Sequence, residues 1–173
     1  MPLESSHSAD MMLRGRSYSQ IQSMHIKYRE AHSEDAAECV ALRGKTRQNA
    51  ASEDRLRSIG VTAKSWGEGI RSGALPGHIC TVDGDIVGYC FGARETGEIV
   101  VLALLPDFED LGIGRELLNR MIKGLAEHGH SRLFLGCSPD PMSRSYGFYR
   151  HLGWSSTETF DQYGDEILEL NIV

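Results

Sequence analysis

A glycine-containing turn between two apolar segments is the part of the sequence best suited to chemistry. Residues 109–115 read Glu-Asp-Leu-Gly-Ile-Gly-Arg and join an apolar run, 99–105, to an amphipathic segment. If that segment is a helix, its first backbone N–H groups lack internal partners and its dipole places partial positive charge there. Glycine lets an anion approach the backbone closely. The pattern predicts a phosphate-binding turn, although the same two glycines also suit close packing of a helix on a strand.

Two well-known nucleotide-binding motifs are excluded at this turn. A Walker loop ends in Gly-Lys-Ser/Thr, whereas this sequence runs Gly114-Arg115-Glu116. A Rossmann fingerprint needs a third glycine, where Leu117 stands, and an acidic residue closing the next strand, where Gly136 stands. A phosphate held here would therefore belong to another kind of site.

The segment before the turn is predicted to contain a short strand and two helices. Residues 25–30 alternate as a strand, and Ser33 is placed to cap a helix over 34–44. Thr62 is placed to cap a second helix, which carries Trp66.

An antiparallel hairpin and a central strand are predicted next. The apolar runs 79–82 and 86–92 flank Asp83-Gly84-Asp85, which is typical of a β-hairpin. Residues 98–105 are almost continuously apolar. That run predicts a strand buried on both faces at the centre of the sheet.

The segment after the turn is predicted to contain two helices and three strands. The first helix has one apolar face, formed by Ile113, Leu117, Leu118, Met121, Ile122 and Leu125. Asp140 and Pro141 predict the cap and first residue of the second helix. The three strands are 133–135, 157–160 and 166–171. We expect an α/β (α+β) fold with a mixed, mostly antiparallel central sheet and helices on both faces.

Length and composition favour one domain. Of the 173 residues, 1–24 are polar and lack the apolar core of a signal peptide, so we expect a disordered leader followed by a domain over 25–173. The net charge of −6 carries no block of like charge, which disfavours nucleic acid as a partner. No apolar stretch approaches the ~20 residues that cross a bilayer, so we expect no membrane association.

The cysteines and histidines show no spacing typical of a metal site. Cys39, Cys80, Cys90 and Cys137 lie far apart, and no histidine pair flanks an acid at helical spacing. We expect no metal, and reduced thiols in a cytoplasmic protein.

Two blocks of the sequence resemble the GNAT superfamily of N-acetyltransferases. Leu104-Leu105-Pro106 followed by residues 109–114 is similar to the family pattern of Val-x-Pro, then Gln/Arg-x-x-Gly-x-Gly/Ala and a helix. Residues 148–154, Phe-Tyr-Arg-His-Leu-Gly-Trp, are similar to the family's Phe-Tyr-x-x-x-Gly-Phe. The resemblance covers about residues 26–170 and implies a GNAT-like fold that binds acetyl-CoA as co-substrate.

The turn departs from the family pattern at two positions. Glu109 stands where the family has Gln or Arg, and Leu111 stands where it has arginine. A carboxylate about 4 Å from a phosphate costs about 4 kcal/mol at an effective dielectric of 20. We therefore expect the Glu109 side chain to point away from the diphosphate while its backbone N–H still contributes.

The resemblance implies specific roles for residues of the strand, the turn and the last helix. Glu98 matches the position of a catalytic base in one branch of the family, and Tyr149 matches a tyrosine that protonates the departing thiolate. Both residue types also have ordinary structural uses, at a strand end and between helix and sheet. The coenzyme is expected to contact Leu102, Ala103, Leu104, Glu109, Asp110, Leu111, Gly112, Ile113, Gly114 and Arg115.

The sequence gives the weakest indication for the site that binds the acceptor amine. In this fold the first two helices and their connection border it, which directs attention to Arg43 and indicates Arg47, Asn49 and Trp66 as substrate-binding candidates. The favoured function is acetyl transfer to a primary amine of a small molecule. Acetylation of a protein N-terminus or lysine, and a catalytically silent acyl-CoA-binding module, are the alternatives. A homodimer through the C-terminal strands is compatible with the pattern.

Overall fold

A seven-stranded sheet organises the molecule in a computed structural model that describes residues 15–47 and 50–172. Its order is β1-β2-β3-β4-β5-β7-β6. The strands are β1 Ile26–Glu30, β2 Gly77–Val82, β3 Asp85–Ala93, β4 Glu98–Leu104, β5 Arg132–Cys137, β6 Ser155–Phe160 and β7 Glu166–Asn171. Every neighbouring pair is antiparallel except β4 and β5, which are parallel. The predicted fold class is confirmed.

Six α-helices accompany the sheet in the described residues. They are α1 Tyr18–Ser23, α2 Ala36–Leu42, α3 Glu53–Ser58, α4 Ala63–Ser72, α5 Ile113–Glu127 and α6 Arg144–His151. Helix α1 lies within the segment predicted as a leader, of which residues 1–14 are outside the described residues. None of these helices combines the length and apolar character needed to span a membrane.

Hydrophobic packing occurs on both faces of the sheet. On one face α5 packs through Leu117, Leu118 and Met121 against strand residues that include Cys80 and Cys90. On the other face, residues of α2 and α4 pack with strand residues in a cluster of Cys39, Leu42, Ile79, Ile86, Tyr89, Phe91 and Ala103, with Trp66 and Ile70 partly buried against it. The alternation of side chains along β2 and β3 supplies both clusters.

Two predicted helix starts are wrong. His32, not Ser33, is the capping position of the first helical segment, because the Asp35 carboxylate accepts the His32 N–H at 2.7 Å. The last helix begins at Arg144 rather than after Asp140. Asp140 instead forms a turn, in which its side chain accepts the Met142 N–H at 2.9 Å. The cap at Thr62 is confirmed, since its hydroxyl accepts the Ser65 N–H at 3.0 Å.

Strand β4 occupies the centre of the sheet, as predicted, but it is not buried on both faces. Val100 is exposed, and Leu102 and Leu104 are only partly buried. The pairing of β3 with β4 shifts register at Phe91/Gly92, which places an extra residue in β4. Beyond Glu98, no residue of β4 is in register with β5. The two parallel strands therefore separate, and part of the apolar run faces the gap between them.

Candidate functional site

A cavity of about 530 Å³ opens where β4 parts from β5. Its wall is built from the end of β4, the turn before α5, α6 and the segment that follows α2. The lining includes Leu102, Ala103, Leu104, Glu109, Asp110, Gly112, Ile113, Gly114, Arg115 and Tyr149. Nine of the ten residues predicted to contact the coenzyme thus lie together. Leu111 does not line the cavity and packs against the main hydrophobic cluster.

The turn before α5 presents backbone N–H groups to this cavity. Gly112 has a left-handed backbone (φ 80°) at the helix start, and Asp110 also has positive φ (63°). Among the described residues, no backbone carbonyl accepts an N–H from residues 111–115. Helix α5 is 15 residues long, so its dipole adds partial positive charge at this end. The arrangement is suited to binding an anion.

The structure gives Glu109 two features that the sequence did not predict. Its backbone N–H donates to the Pro106 carbonyl at 3.3 Å, within a short 3₁₀ turn, and so is already engaged. Its side chain is not directed outward: the residue is 6% exposed and lines the cavity. The physical reason is charge pairing, because guanidinium groups from two other segments reach the carboxylate.

Those guanidinium groups belong to Arg47 and Arg144. Arg47 Nε lies 3.1 Å from Glu109 Oε2, and Arg144 Nη1 lies 3.5 Å from the same oxygen. Arg144 Nη2 also lies 3.1 Å from Asp110 Oδ1. The network joins the segment after α2, the turn and the start of α6. The cavity wall therefore offers a ligand positively charged arginine side chains as well as carboxylates.

Tyr149 projects from α6 into the cavity lining. It is 8% exposed, and its ring packs edge-on to Phe148 and Trp154. Burial raises the pKa of Tyr149, and the nearby Cys90 thiol adds to the shift. The phenol is therefore a neutral hydrogen-bond donor over the whole physiological pH range.

Glu98 lies at the opposite end of β4 from the cavity. It is half-buried, pairs in register with Phe134 of β5 and is not part of the cavity lining. Leu102 is four residues along the strand, roughly 13 Å away. Burial raises the pKa of Glu98, with a further contribution from Asp161, which makes the carboxylate a stronger base.

The three acceptor-side candidates have different surroundings. Arg47 lines the cavity. Trp66 does not, and its ring packs 6.0 Å from Tyr89 and 4.9 Å from Phe91, between helix and sheet. Asn49 lies outside the described residues. Of the two candidates within the described residues, Arg47 lies at the site and Trp66 does not.

Sequence reasoning missed several residues of the cavity wall. They are Thr46, Arg144, Ser145, Phe148 and His151, whereas Arg43 was already indicated for the acceptor side. For α6, helical spacing could have indicated the other residues of the wall. Residues 144, 145, 148 and 151 fall on the same side of the helix as Tyr149. After α2 the chain forms a 3₁₀ turn, Arg43–Lys45, and this turn places Arg43 and Thr46 at the cavity.

No group of His, Cys, Asp and Glu side chains within residues 15–47 and 50–172 is arranged to hold a metal ion. All four cysteines are buried free thiols.

Comparison with known proteins gives a family match. The acetyltransferase (GNAT) family model matches residues 66–154, more than half of the chain, including β4, the turn, α5 and α6. A search of curated protein sequences found no significant match.

Solved structures share the fold at low sequence identity. The PaiA N-acetyltransferase of Thermoplasma acidophilum, in complex with coenzyme A, is 20% identical with a TM-score of 0.70, over 85% of this chain and 99% of that one. YncA of Salmonella typhimurium, with its cofactor acetyl-CoA, is 17% identical with a TM-score of 0.67, over 86% and 95%. The ribosomal-protein-S18-alanine N-acetyltransferase of Escherichia coli is 18% identical with a TM-score of 0.62, over 86% and 94%.

Proposed function

The chain belongs to the acetyltransferase (GNAT) family, and from that membership we propose that it transfers an acetyl group from acetyl-CoA to a primary amine. Transfer occurs by direct attack of the amine in a ternary complex. The observation that carries the proposal is the set of N–H groups of residues 111–115 at the start of α5, beside the cavity. They provide a site for the coenzyme diphosphate.

The shape of the turn fits a diphosphate. Gly112 has a backbone conformation that side chains rarely adopt, and no atom lies within 4 Å of the point where its Cβ would stand. A Cβ on Gly114 would lie 3.7 Å from the Phe148 ring. Both positions keep the backbone accessible from the cavity side. The relatives crystallised with coenzyme A or acetyl-CoA support the same ligand here.

The gap between β4 and β5 provides a channel for the acyl arm of the coenzyme. Leu102, Ala103 and Leu104 line the cavity after the two strands separate. Backbone N–H groups in this stretch are proposed to stabilise the negative charge that develops on the thioester carbonyl oxygen. Their side chains can then be apolar, as they are.

An alkyl amine with a pKa near ~10.4 is almost fully protonated at neutral pH, so transfer requires a base or a water relay. We propose that Glu98 supplies it. Because the carboxylate lies outside the cavity lining, a chain of water molecules would have to carry the proton to it. Burial raises the pKa of Glu98, which favours proton capture.

Tyr149 is proposed to stabilise the departing thiolate. Its side chain lines the same cavity as Leu104 and the turn. A phenol with a raised pKa keeps its proton, so its contribution is a hydrogen bond to the sulfur.

The acceptor is proposed to be a small-molecule amine, bordered by Arg43 and Thr46, which line the cavity after α2. A protein N-terminus or lysine is the second candidate. It is favoured by the likeness to the S18-alanine N-acetyltransferase, whose name describes a protein substrate.

A panel assay tests the function. The full chain is incubated with acetyl-CoA and with polyamines, amino acids, aromatic amines or peptides, and free thiol is measured over time. We expect amine-dependent thiol release, larger with one small-amine class than with peptides. Uptake of acetyl-CoA without thiol release for any amine would contradict an enzymatic function.

We also propose a cytoplasmic protein, because its four buried cysteines are free thiols. A homodimer through the C-terminal strands is proposed on the position of β6, which is an edge strand of the sheet. Sedimentation at two concentrations measures that state.

A further inference from the structure

An ion-pair network lies along one wall of the cavity, and its anion is more deeply buried than its cations. The Glu109 side chain is 8% exposed, whereas those of Arg47 and Arg144 are 46% and 49% exposed. The carboxylate thus lies at the base of the wall. The two guanidinium groups stand on its more accessible side.

The three members come from separate parts of the chain. Arg47 follows the 3₁₀ turn after α2, Glu109 precedes α5, and Arg144 begins α6. Each of the three lines the cavity. The central carboxylate therefore limits where the two half-exposed arginine side chains stand relative to the N–H groups of the turn, because a salt bridge restricts the rotamers of both partners.

A guanidinium group that contacts one carboxylate can also bind a second anion, because it carries five N–H donors. Arg47 contacts Glu109 through Nε, and a guanidinium carries four further N–H donors on its terminal nitrogens. Arg144 contacts Glu109 and Asp110 at 3.5 and 3.1 Å. Planar guanidinium groups held in this way are well suited to phosphate.

We propose that Glu109 is a positioning residue, which holds Arg47 and Arg144 where they contact the phosphates of the coenzyme. The inference rests on the proposed function, since it requires an acyl-coenzyme as donor. An acid at a position where the family has Gln or Arg then strengthens phosphate binding through its two partners. Its own negative charge opposes binding less than the arginines favour it.

The substitution Glu109→Gln tests the sign of this effect. Removal of a negative charge alone would tighten the binding of coenzyme A. We expect the opposite: a dissociation constant about tenfold higher in calorimetry. Glu116→Gln is the matched control, because it removes the same charge from the first turn of α5, where Glu116 pairs with Arg120 at 2.8 Å. We expect less than a twofold change for that variant.

A comparison of donors separates positioning from structural damage. S-acetylpantetheine carries the same thioester as acetyl-CoA but has no phosphate. For Glu109→Gln we expect kcat/KM to fall about tenfold with acetyl-CoA and to stay unchanged with S-acetylpantetheine. An equal fall with both donors means that Glu109 has only a structural role, and the proposal is then overturned.

A second variant tests the same point without changing a buried residue. Arg47→Gln alters a half-exposed side chain and should show the same selective loss with acetyl-CoA. We also combine Glu109→Gln with Arg47→Gln. The fold loss of kcat/KM with acetyl-CoA in this double variant should be smaller than the product of the two single losses, since both substitutions act through one contact. Independent, multiplicative losses would overturn the proposal.

The wild-type titration distinguishes the two levels of inference. If the wild-type chain takes up no coenzyme A, the proposed function fails. If the wild type binds and Glu109→Gln binds equally well or better, the function stands and the positioning role is wrong.

Discussion

Replacement of Tyr149 by Phe removes one hydroxyl from the cavity and leaves the ring in place. An unperturbed tyrosine has a pKa of 10.0, and an alkyl thiol one of about 8.5. Full proton transfer from such a phenol to a thiolate is therefore uphill by about 2 kcal/mol. Burial raises the pKa of Tyr149 and makes that transfer harder still. We therefore expect the phenol to donate a hydrogen bond to the developing thiolate.

The expected size of the effect follows from that assignment. A hydrogen bond to a charged group contributes about 1.5–3 kcal/mol. Its loss from the transition state corresponds to a fall in kcat of about 10- to 150-fold. Affinity for acetyl-CoA should change little, because the ring and its contacts with Phe148 and Trp154 persist.

Single-turnover kinetics measures this effect on the chemical step, and calorimetry measures coenzyme affinity in parallel. Tyr146→Phe is the matched control. Tyr146 lies one turn earlier on α6, where the Arg150 guanidinium is 3.6 Å from its ring centroid, and it is not part of the cavity lining. An unchanged rate for Tyr149→Phe, or an equal fall for both variants, would refute the role of the phenol.

Three further predictions concern the base, the anchoring of α2 and the thiols. Burial raises the pKa of Glu98 above its ordinary 4.5, so wild-type kcat/KM should fall as the pH drops through that raised value. The Glu98→Gln variant should have at least tenfold lower kcat/KM at neutral pH and should lack this fall at low pH. An unaltered pH profile would exclude Glu98 as the base. Tyr89→Phe removes a buried hydroxyl that donates to the Cys39 carbonyl at 3.0 Å, so urea denaturation should show a loss of about 1 kcal/mol, whereas an unchanged midpoint would show that this bond does not stabilise the fold. Burial raises the pKa of Cys39 to about 12 and of Cys80 to about 11. A thiol reagent at pH 8 should therefore react slowly with the native chain, whereas after denaturation it should react with all four thiols. A thiol that reacts rapidly in the native state would contradict their burial.

Local patterns predicted the elements that hold the site. The hairpin at Asp83-Gly84 follows from turn chemistry, since both residues have positive φ. The start of α5 at Gly112 follows from the change in hydrophobic period and from glycine's backbone freedom. Each of these signals depends on a few neighbouring residues, so it can be recognised from the sequence alone.

The environment of Glu109 could not be read in the same way. Its partners are 62 residues earlier and 35 residues later in the chain. The prediction for Glu109 rested on its charge alone, whereas the fold supplies two guanidinium groups that pair with it. The pairing depends on where α2 and α6 pack, which no local pattern specifies.

Strand β4 shows a related limit. Its apolar run predicted burial on both faces, and Val100 is nevertheless 40% exposed. The separation of β4 from β5 creates a gap that apolar side chains line. A sequence pattern reports how apolar a strand is, and does not distinguish a packed core from an apolar ligand channel.

A crystal structure of the full chain with coenzyme A would show where the diphosphate binds. We expect diphosphate oxygens at about 3 Å from backbone nitrogens of residues 111–115, with the pantetheine arm between β4 and β5. A diphosphate held away from those nitrogens, or a coenzyme bound outside this cavity, would contradict this expectation.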